Sequence, residues 1–323
     1  MVTTGGKPPR RDDEIRRVLV TGGCGFIGAN LIRYLLDHTS WDLRVIDDLR
    51  SGQRSMVEGL AEVVVGDAGE ERDLDGALSG VDGVIHLASE TGVLPSVENP
   101  VRDFQGNATT TFRVLEGCRV RGVERVVFAS SGAALGDAPP PLHEGLVPRP
   151  LSPYGAGKLV GEAYCQAYAG SFGMRTVALR FSNVYGPFSA HKANAIPSFI
   201  KSCLAGEPLD IYGDGLQSRD FIYADDLCDG ILRSLQAGVA GEVFQLATGV
   251  ETSVVELAQL VKEVTASDSE IRFHPGRKGE VYKSRADISK VKRMLRFEPR
   301  VGLREGLERT AHWFRDGREG LGS

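Results

Sequence analysis

Short, nearly continuous apolar runs alternate with longer stretches of helical periodicity through the first half of the chain. The runs predict strands at residues 17–21, 43–48, 61–67, 81–89, 123–131 and 175–186. Helices are predicted after the first strand, where Ile27, Leu31 and Leu35 recur at helical spacing, and again at 101–121 and 153–172. Apolar strands that alternate with helices are typical of a parallel sheet covered on both faces. The pattern predicts an α/β fold with a Rossmann-like, doubly wound parallel sheet.

The pattern changes after about residue 186. Segments become shorter and richer in loops, which predicts a smaller C-terminal part folded over the carboxyl edge of the sheet. We expect residues 16–186 to form the sheet domain, with later segments returning to it, and residues 187–316 to form the smaller α/β part. Residues 1–15 are expected to be a disordered lead, and 317–323 a frayed tail.

Composition places the chain among ordinary globular proteins. It has 323 residues, 41% hydrophobic and 25% charged, with a formal net charge of −5. This charge gives no general attraction to nucleic acid or anionic lipid, and no apolar run is long enough to cross a bilayer. The five cysteines and six histidines are scattered, without metal-ligand spacing. We expect a cytoplasmic protein with reduced, mostly buried thiols, no metal site, and no nucleic-acid or membrane partner.

A glycine turn joins the first strand to the first helix in VLVTGGCGFIG. Gly22, Gly25 and Gly28 have GxxGxxG spacing, a variant of the dinucleotide fingerprint. Glycine lets backbone N–H groups approach a pyrophosphate, and the helix N-terminus adds partial positive charge. The turn, with Phe26 and Ile27, is therefore a candidate pyrophosphate site. The alternative is a purely structural glycine turn.

Acidic residues follow the next two strands. Asp47 and its neighbour Asp48 end the second strand, at the place where a carboxylate can accept hydrogen bonds from both ribose hydroxyls. Such a carboxylate would repel a 2′-phosphate, which favours NAD over NADP. Asp67 ends the third strand and could bind the adenine amino group, or could cap the helix that follows.

Tyr154 and Lys158 are separated by one helical turn in YGAGK. A phenol has a pKa of about 10, so it becomes a base at neutral pH only when its anion is stabilised. A neighbouring ammonium stabilises it, as does the positive ring of NAD⁺. The pair therefore predicts a proton-transfer device beside the dinucleotide. The alternative is an ordinary pair on a helix surface.

With these motifs the chain resembles the extended short-chain dehydrogenase/reductase superfamily, in its NAD-dependent epimerase/dehydratase branch. It is similar to UDP-glucose 4-epimerase-like enzymes. The resemblance covers about residues 16–315. Its marks, besides the glycine turn and YGAGK, are HLAS (86–89), SSGAALG (130–136), RFSNVYGP (180–187), QSRDFIYADD (217–226) and RKGEVYKSRAD (277–287). The sheet domain would then bind NAD, with Leu87 and Ala88 among its contacts, and the C-terminal part would bind mainly the substrate.

The resemblance also implies catalytic roles. Ser131 matches the hydroxyl that assists Tyr154 and Lys158, with Ser130 as the fallback. Related dehydratases and decarboxylases carry an acidic residue just after this hydroxyl, whereas this chain has Gly132 and Ala133. That difference argues against dehydration.

The resemblance also implies which residues contact the substrate. Arg219, Arg277 and Asn183 match residues that contact a nucleotide diphosphate; Arg219 could instead pair with Asp220 or Asp225. His191, with Lys192, could meet a sugar carboxylate, or both could lie in a solvated loop. The remaining candidate contacts with the sugar are Thr91, Ser96, Ser131, Gly132 and Ser284, the last by leaving space for a larger group.

The resemblance thus implies a nucleotide-sugar 4-epimerase that uses bound NAD and acts on a UDP-hexose, UDP-N-acetylhexosamine or UDP-uronate through a transient 4-keto sugar. It also implies a homodimer paired through helices 101–121 and 153–172. The alternatives are an NAD-dependent dehydratase or decarboxylase, a net oxidoreductase, and a non-catalytic NAD-binding regulator.

Overall fold

The computed structural model describes residues 15–276 and 282–317. Its strands are β1 (Arg17–Thr21), β2 (Asp42–Asp47), β3 (Glu62–Val65), β4 (Gly83–His86), β5 (Arg125–Ser131), β6 (Arg175–Phe181), β7 (Asn183–Tyr185), β8 (Leu209–Tyr212), β9 (Ser218–Tyr223), β10 (Glu242–Leu246), β11 (Glu251–Ser253) and β12 (Ile271–His274). Its helices are α1 (Phe26–His38), α2 (Glu71–Ala77), α3 (Val93–Glu98), α4 (Pro100–Phe104), α5 (Thr110–Arg121), α6 (Pro153–Phe172), α7 (Ala195–Ala205), α8 (Ala224–Gln236), α9 (Val254–Thr265), α10 (Ser289–Leu295) and α11 (Leu303–Asp316).

Seven strands form one parallel sheet in the order β10-β6-β5-β4-β1-β2-β3. This confirms the predicted Rossmann-like fold. The chain runs outward from β1 through β2 and β3, then returns to place β4 on the other side of β1. In such sheets a crevice forms at the carboxyl ends of the strands where the order reverses. The ends of β1 and β4 therefore mark the expected ligand site.

Both faces of this sheet are buried, which explains why its strands are continuous apolar runs. Along β1, Val18 and Val20 belong to the core shared with α1 and α8. Leu19, between them, points into a second core with Leu74 of α2 and Leu115 of α5. Burying one such aliphatic side chain stabilises the fold by about 1.5–3 kcal/mol. The strands are therefore fixed by packing on two sides.

Two predicted elements are interrupted in the structure. The helix predicted at 101–121 consists of α4 and α5 joined by a π-helical turn at Gln105–Thr109, where the hydroxyl of Thr110 donates to the carbonyl of Gln105, 3.0 Å away. The strand predicted at 175–186 divides into β6 and β7, because β7 leaves the main sheet and pairs with β9. Both breaks depend on contacts with distant segments, which hydrophobic periodicity does not report.

The C-terminal segments build a second layer beside the main sheet. They form a three-stranded sheet in the order β11-β9-β7 and the pair β12-β8. A third core, which includes Ile200, Leu257 and Leu307, packs α7, α9 and α11 together. None of the helices in the described part of the chain is long and apolar enough to cross a membrane. All five cysteines are buried, which confirms their predicted burial.

A buried ion pair connects the main sheet to α6. Arg180 of β6 donates two hydrogen bonds to the carboxylate of Glu162, of 2.8 and 2.7 Å, and the two side chains are only 3% and 4% exposed. Ser130 donates to the same carboxylate at 2.6 Å. Removing one partner of a buried pair leaves the other charge unpaired in a poorly solvated place.

Replacing Glu162 with Gln is expected to lower the free energy of unfolding by about 3–5 kcal/mol, because the Arg180 charge stays buried without its counter-ion. Chemical denaturation measures this change. The matched control is Glu263→Gln, which breaks an exposed pair with Arg304 and is expected to cost less than about 1 kcal/mol. Equal effects of the two substitutions would contradict a structural role for the buried pair.

Candidate functional site

A cleft of about 480 Å³ opens at the carboxyl ends of the central strands, where the strand order reverses. Its wall is built from the glycine turn after β1, the ends of β2 to β5, the start of α6 and the segment after β6. It includes every residue predicted to contact the cofactor: Gly22, Gly25, Phe26, Ile27, Gly28, Asp47, Asp48, Asp67, Leu87, Ala88, Tyr154 and Lys158.

The turn between β1 and α1 requires glycine. Gly22 has a φ of +69°, and a Cβ atom there would lie 2.7 Å from the backbone nitrogen of Ala88. A Cβ atom on Gly28 would lie 2.4 Å from the carbonyl oxygen of Gly23. α1 starts directly after Gly25 without a side-chain cap, so its first N–H groups are not occupied by one. This cradle fits a pyrophosphate.

His86 holds the opposite edge of that cradle. Its ring nitrogens lie 2.7 Å from the hydroxyl of Thr21 and 3.1 Å from that of Thr111. Complete burial, with a smaller effect from the charge of Lys158, lowers the pKa of His86 to about 3, so the ring is neutral. The Thr21 hydroxyl also accepts a hydrogen bond from the backbone of Ala88 at 3.1 Å. His86 therefore supports the backbone that faces Gly22.

Asp47, at the end of β2, is buried and already hydrogen-bonded. Its carboxylate accepts from the backbone nitrogens of Cys24 and Leu49, each at 2.9 Å. Burial raises the pKa of Asp47, and these hydrogen bonds offset part of the rise. Each carboxylate oxygen can accept more than one hydrogen bond, so the side of Asp47 that faces the cleft can still take ribose hydroxyls.

An arginine that sequence analysis did not select crosses the mouth of the cleft. Arg50 donates to Asp48 at 2.6 Å and to Asp67 at 3.2 Å, and its guanidinium lies 3.6 Å from the carboxylate of Glu90. Glu90 also accepts from Arg102 at 3.0 Å. The bridge joins the loop after β2 to the ends of β3 and β4. The sequence did not single out Arg50, because an arginine close to surface acids is common.

Tyr154, Ser131 and Lys158 come together at the inner end of the cleft. α6 starts at Pro153, and the hydroxyl of Ser152 caps it by accepting from the backbone of Gly155 at 3.1 Å. Burial raises the pKa of Tyr154, and a hydrogen bond with the Ser131 hydroxyl offsets part of that rise. The arrangement places two hydroxyl groups where one ligand oxygen can meet both.

Lys158 lies one turn further along α6 and is buried. Its ammonium donates to the carbonyl of Ala129 at 2.8 Å and lies 5.7 Å from the centre of the Tyr154 ring. Burial lowers the pKa of Lys158 to about 8, and the charge of Asp103 offsets part of that shift. The cation that would stabilise a Tyr154 phenolate is therefore held in place.

Asp103 and Asn107 form a buried group behind this helix that sequence analysis missed. The amide of Asn107 donates to Asp103 at 2.9 Å, and its oxygen accepts from Ser89 at 2.6 Å. The other carboxylate oxygen of Asp103 has no hydrogen-bond partner among the described residues. A Cβ atom on Gly157 would lie 2.9 Å from Asn107, so this glycine lets the group approach α6. Asp103 belongs to α4 and Asn107 to the π-helical turn that follows it, and no local sequence pattern predicts that turn.

The predicted substrate residues are more dispersed. Thr91 and Ser131 belong to the wall of the cleft, as far as the described residues define it. Ser96 is buried and donates to the carbonyl of Val93 at 2.6 Å. The other candidates, Gly132, Asn183, His191, Arg219 and Ser284, lie outside that wall. Arg277 lies outside the described residues.

Asn183 and Arg219 belong to neighbouring parts of the second sheet. The Asn183 amide donates to the carbonyl of Asp220 at 3.3 Å, and the guanidinium of Arg219 donates to the carbonyl of Ser218 at 2.8 Å. The Asp220 carboxylate accepts from the backbone nitrogens of Thr248 and Gly249, at 2.9 and 2.8 Å. Asp220 therefore ties β9 to the loop after β10.

Lys192, which the sequence suggested together with His191 as a contact of a sugar carboxylate, and Asn194, which it did not suggest, also belong to the wall of the cleft. Asn194 stands directly before α7, yet its side chain makes no capping hydrogen bond. Because asparagine is common as the N-cap of a helix, the sequence alone does not indicate that Asn194 lines a cleft. Lys192 had been considered only together with His191, which is exposed.

Comparison with known proteins gives consistent results. The model of the NAD dependent epimerase/dehydratase family matches residues 18–247. A UDP-glucose 4-epimerase from Mycolicibacterium smegmatis is 35% identical over 311 residues, covering 93% of this chain and 99% of that protein. The crystal structure of a Thermotoga maritima UDP-glucose 4-epimerase with UDP-glucose superposes with a TM-score of 0.90 and 35% identity, covering 94% of this chain and 99% of that one.

The similarity extends to other reactions. A UDP-glucuronic acid 4-epimerase from Bacillus cereus, solved with UDP-glucuronic acid and NAD, has a TM-score of 0.86 and 30% identity, covering 93% of this chain and 99% of that one. Nucleotide-sugar dehydratases and a decarboxylase also match. The comparisons therefore leave the reaction and the sugar open.

Replacing Gly22 with Ala is expected to weaken NAD⁺ binding at least about tenfold, or about 1.4 kcal/mol, because the new methyl group meets the backbone of Ala88. Titration calorimetry on cofactor-free protein measures the affinity. The control is Gly59→Ala, which has a similar φ of +76° but no atom within 4 Å of the added methyl group. If Gly22→Ala binds NAD⁺ as tightly as the control, the turn is not the pyrophosphate cradle.

Proposed function

The chain belongs to the NAD-dependent epimerase/dehydratase family, and we propose that within it the protein is a nucleotide-sugar 4-epimerase acting on a UDP-hexose, UDP-N-acetylhexosamine or UDP-uronate. The observation that carries the proposal is that Ser131, Tyr154 and Lys158 line one dinucleotide cleft, with the ammonium of Lys158 5.7 Å from the centre of the Tyr154 ring. Residues 16–186 would supply the cofactor side of this site, and residues 187–316 mainly the substrate side.

The residues of the inner cleft support a reversible reaction at one carbon. NAD⁺, when bound, would supply the hydride acceptor, and later the hydride donor, for C4 of the sugar. Tyr154 takes the proton of the 4-hydroxyl group and gives it back, while Ser131 donates a hydrogen bond to the same oxygen. Lys158 stabilises the phenolate from within the protein. Epimerisation would result when the 4-keto sugar turns over in the cleft, so that C4 presents its opposite face when the hydride returns.

The surroundings of Ser131 favour epimerisation over loss of water. Gly132 and Ala133, which follow it, carry no group that can move a proton. The acids in the described wall of the cleft are engaged elsewhere: they bind backbone N–H groups, Arg50 or Arg102. An NAD-dependent dehydratase or decarboxylase, or a net oxidoreductase, is the second candidate, because such enzymes also match. A non-catalytic regulator is the least favoured.

The proposal includes a homodimer formed through α4, α5 and α6. These helices expose large apolar side chains: Phe104 is 60% exposed, Phe112 40% and Tyr164 38%. The rings of Phe112 and Tyr164 lie 5.4 Å apart, so the two helices present one continuous apolar face. Two copies related by a twofold axis would bury this face against itself as a four-helix arrangement.

Replacing Tyr154 with Phe is expected to abolish epimerisation, a loss of at least about 10²-fold, because the proton carrier is removed. The test follows the anomeric NMR signals of UDP-glucose, UDP-galactose, their N-acetyl forms and UDP-glucuronate. NAD⁺ affinity should stay within about twofold of wild type. Tyr34→Phe, which removes a hydroxyl bonded to Asp229 on α8, serves as the control and should remain active. Full activity of Tyr154→Phe, or a wild-type product that has lost water or CO₂, would contradict the proposal.

Replacing Phe112 with Glu is expected to convert the dimer to a monomer, because a charge would be placed at the centre of the apolar face. Sedimentation velocity measures the change. Phe273→Glu is the matched control, since Phe273 is 56% exposed but lies on β12. A wild type that is monomeric at all concentrations, or a Phe112→Glu variant that stays dimeric, would show that another surface or none is used.

A further inference from the structure

The substrate end of the cleft contains a lysine whose charge has no counter-ion among the described residues. Lys192 lies in the segment between β7 and α7 and forms part of the same wall as Ser131 and Tyr154. Among the described residues, no carboxylate oxygen lies within 4.0 Å of its ammonium group. Burial lowers the pKa of Lys192. Moving a cation partly out of water without a counter-ion costs free energy. A ligand with a negative charge would offset this cost.

The segment that carries Lys192 is held by several hydrogen bonds. The hydroxyl of Ser189 donates to the carbonyl of Gly186 at 2.6 Å, and the backbone nitrogen of Lys192 donates to the carbonyl of Ser189 at 2.9 Å. The ammonium of Lys201, on α7, reaches the carbonyls of Ala190 and Lys192 at 3.3 and 3.4 Å. These contacts fix the backbone of Lys192 against α7, so the residue is not part of a freely solvated loop.

The ammonium of Lys201 adds positive charge beside Lys192, whereas the ring of His191 is neutral at pH 7. Burial lowers the pKa of the neighbouring His191, and the charges of Lys192 and Lys201 lower it further. The acids of the cleft wall lie towards the adenosine end, where they bind backbone N–H groups or Arg50 and Arg102. The described residues therefore give the substrate end an excess of positive charge before any ligand enters.

We propose that Lys192 binds an anionic oxygen group of the nucleotide sugar. The group is either the diphosphate, present in every nucleotide sugar, or the carboxylate of a uronate ring. This inference rests on the proposed function and narrows it, because the two sources give different substrate preferences. A diphosphate contact would leave the sugar unselected, whereas a carboxylate contact would make the enzyme prefer a uronate.

The test uses the NAD-loaded enzyme and calorimetric titration with UDP, UDP-glucose and UDP-glucuronate. Lys192→Met keeps the length of the side chain and removes its charge. It is expected to lose about tenfold in affinity for all three ligands if the diphosphate is bound, or for UDP-glucuronate alone if the carboxylate is bound. Lys192→Arg, which keeps the charge, should recover part of the loss. Lys262→Met, on α9, is the control and should bind like wild type.

Thermal unfolding without substrate separates a binding role from a structural one. Because the ammonium of Lys192 makes no ion pair or hydrogen bond with the described residues, Lys192→Met should unfold at the wild-type temperature or above it. Unchanged affinity for all three ligands would overturn the inference, and so would a loss accompanied by lower thermal stability and no recovery in Lys192→Arg. A wild type that binds none of the three ligands would overturn it together with the proposed function. One that binds UDP but converts no sugar would count against the proposed function alone.

Discussion

The cleft depends on a positive charge kept inside the protein. Lys158 is buried beneath Tyr154 with one carbonyl as its hydrogen-bond acceptor, and burial lowers its pKa to about 8. Burial acts on the phenol in the opposite direction, since it raises the pKa of Tyr154. Asp103 offsets the effect on the lysine, because its negative charge favours the ammonium form. The packing of α4 and α5 behind α6 therefore contributes directly to the protonation states at the inner end of the cleft.

The residues proposed to face the cofactor could be gathered into one cleft from the sequence because their geometry is local. The glycine turn, Asp47 and the Tyr154–Lys158 pair each depend on a strand end or a single helical turn, and these are visible as short patterns. Asp103 and Arg50 could not be found in this way. Asp103 belongs to α4 and acts on Lys158 across the packing of separate helices, and Arg50 acquires its role from acids at the ends of two other strands. Such residues are defined by tertiary packing.

The two ends of the cleft differ in their electrostatics. At the end proposed to bind adenosine, acids and arginines are already matched with one another or with backbone groups, so a neutral ribose could be accepted without disturbing them. At the end proposed to bind the substrate, the wall formed by described residues carries the positive charge of Lys192, which it does not neutralise. Its members come from loops after β6, whose positions depend on the second sheet and on α7. This is why the sugar side was the harder part to predict from single residues.

The burial of the cysteines has a practical consequence. The exposed thiolate form of cysteine is the nucleophile that attacks thiol reagents. All five thiols are buried, and burial raises the pKa of four of them, Cys24, Cys118, Cys165 and Cys228. The native fold therefore offers electrophiles little to react with. A single cysteine introduced on the surface would be a nearly unique handle for a fluorophore or a spin label, with no need to remove the natural ones first.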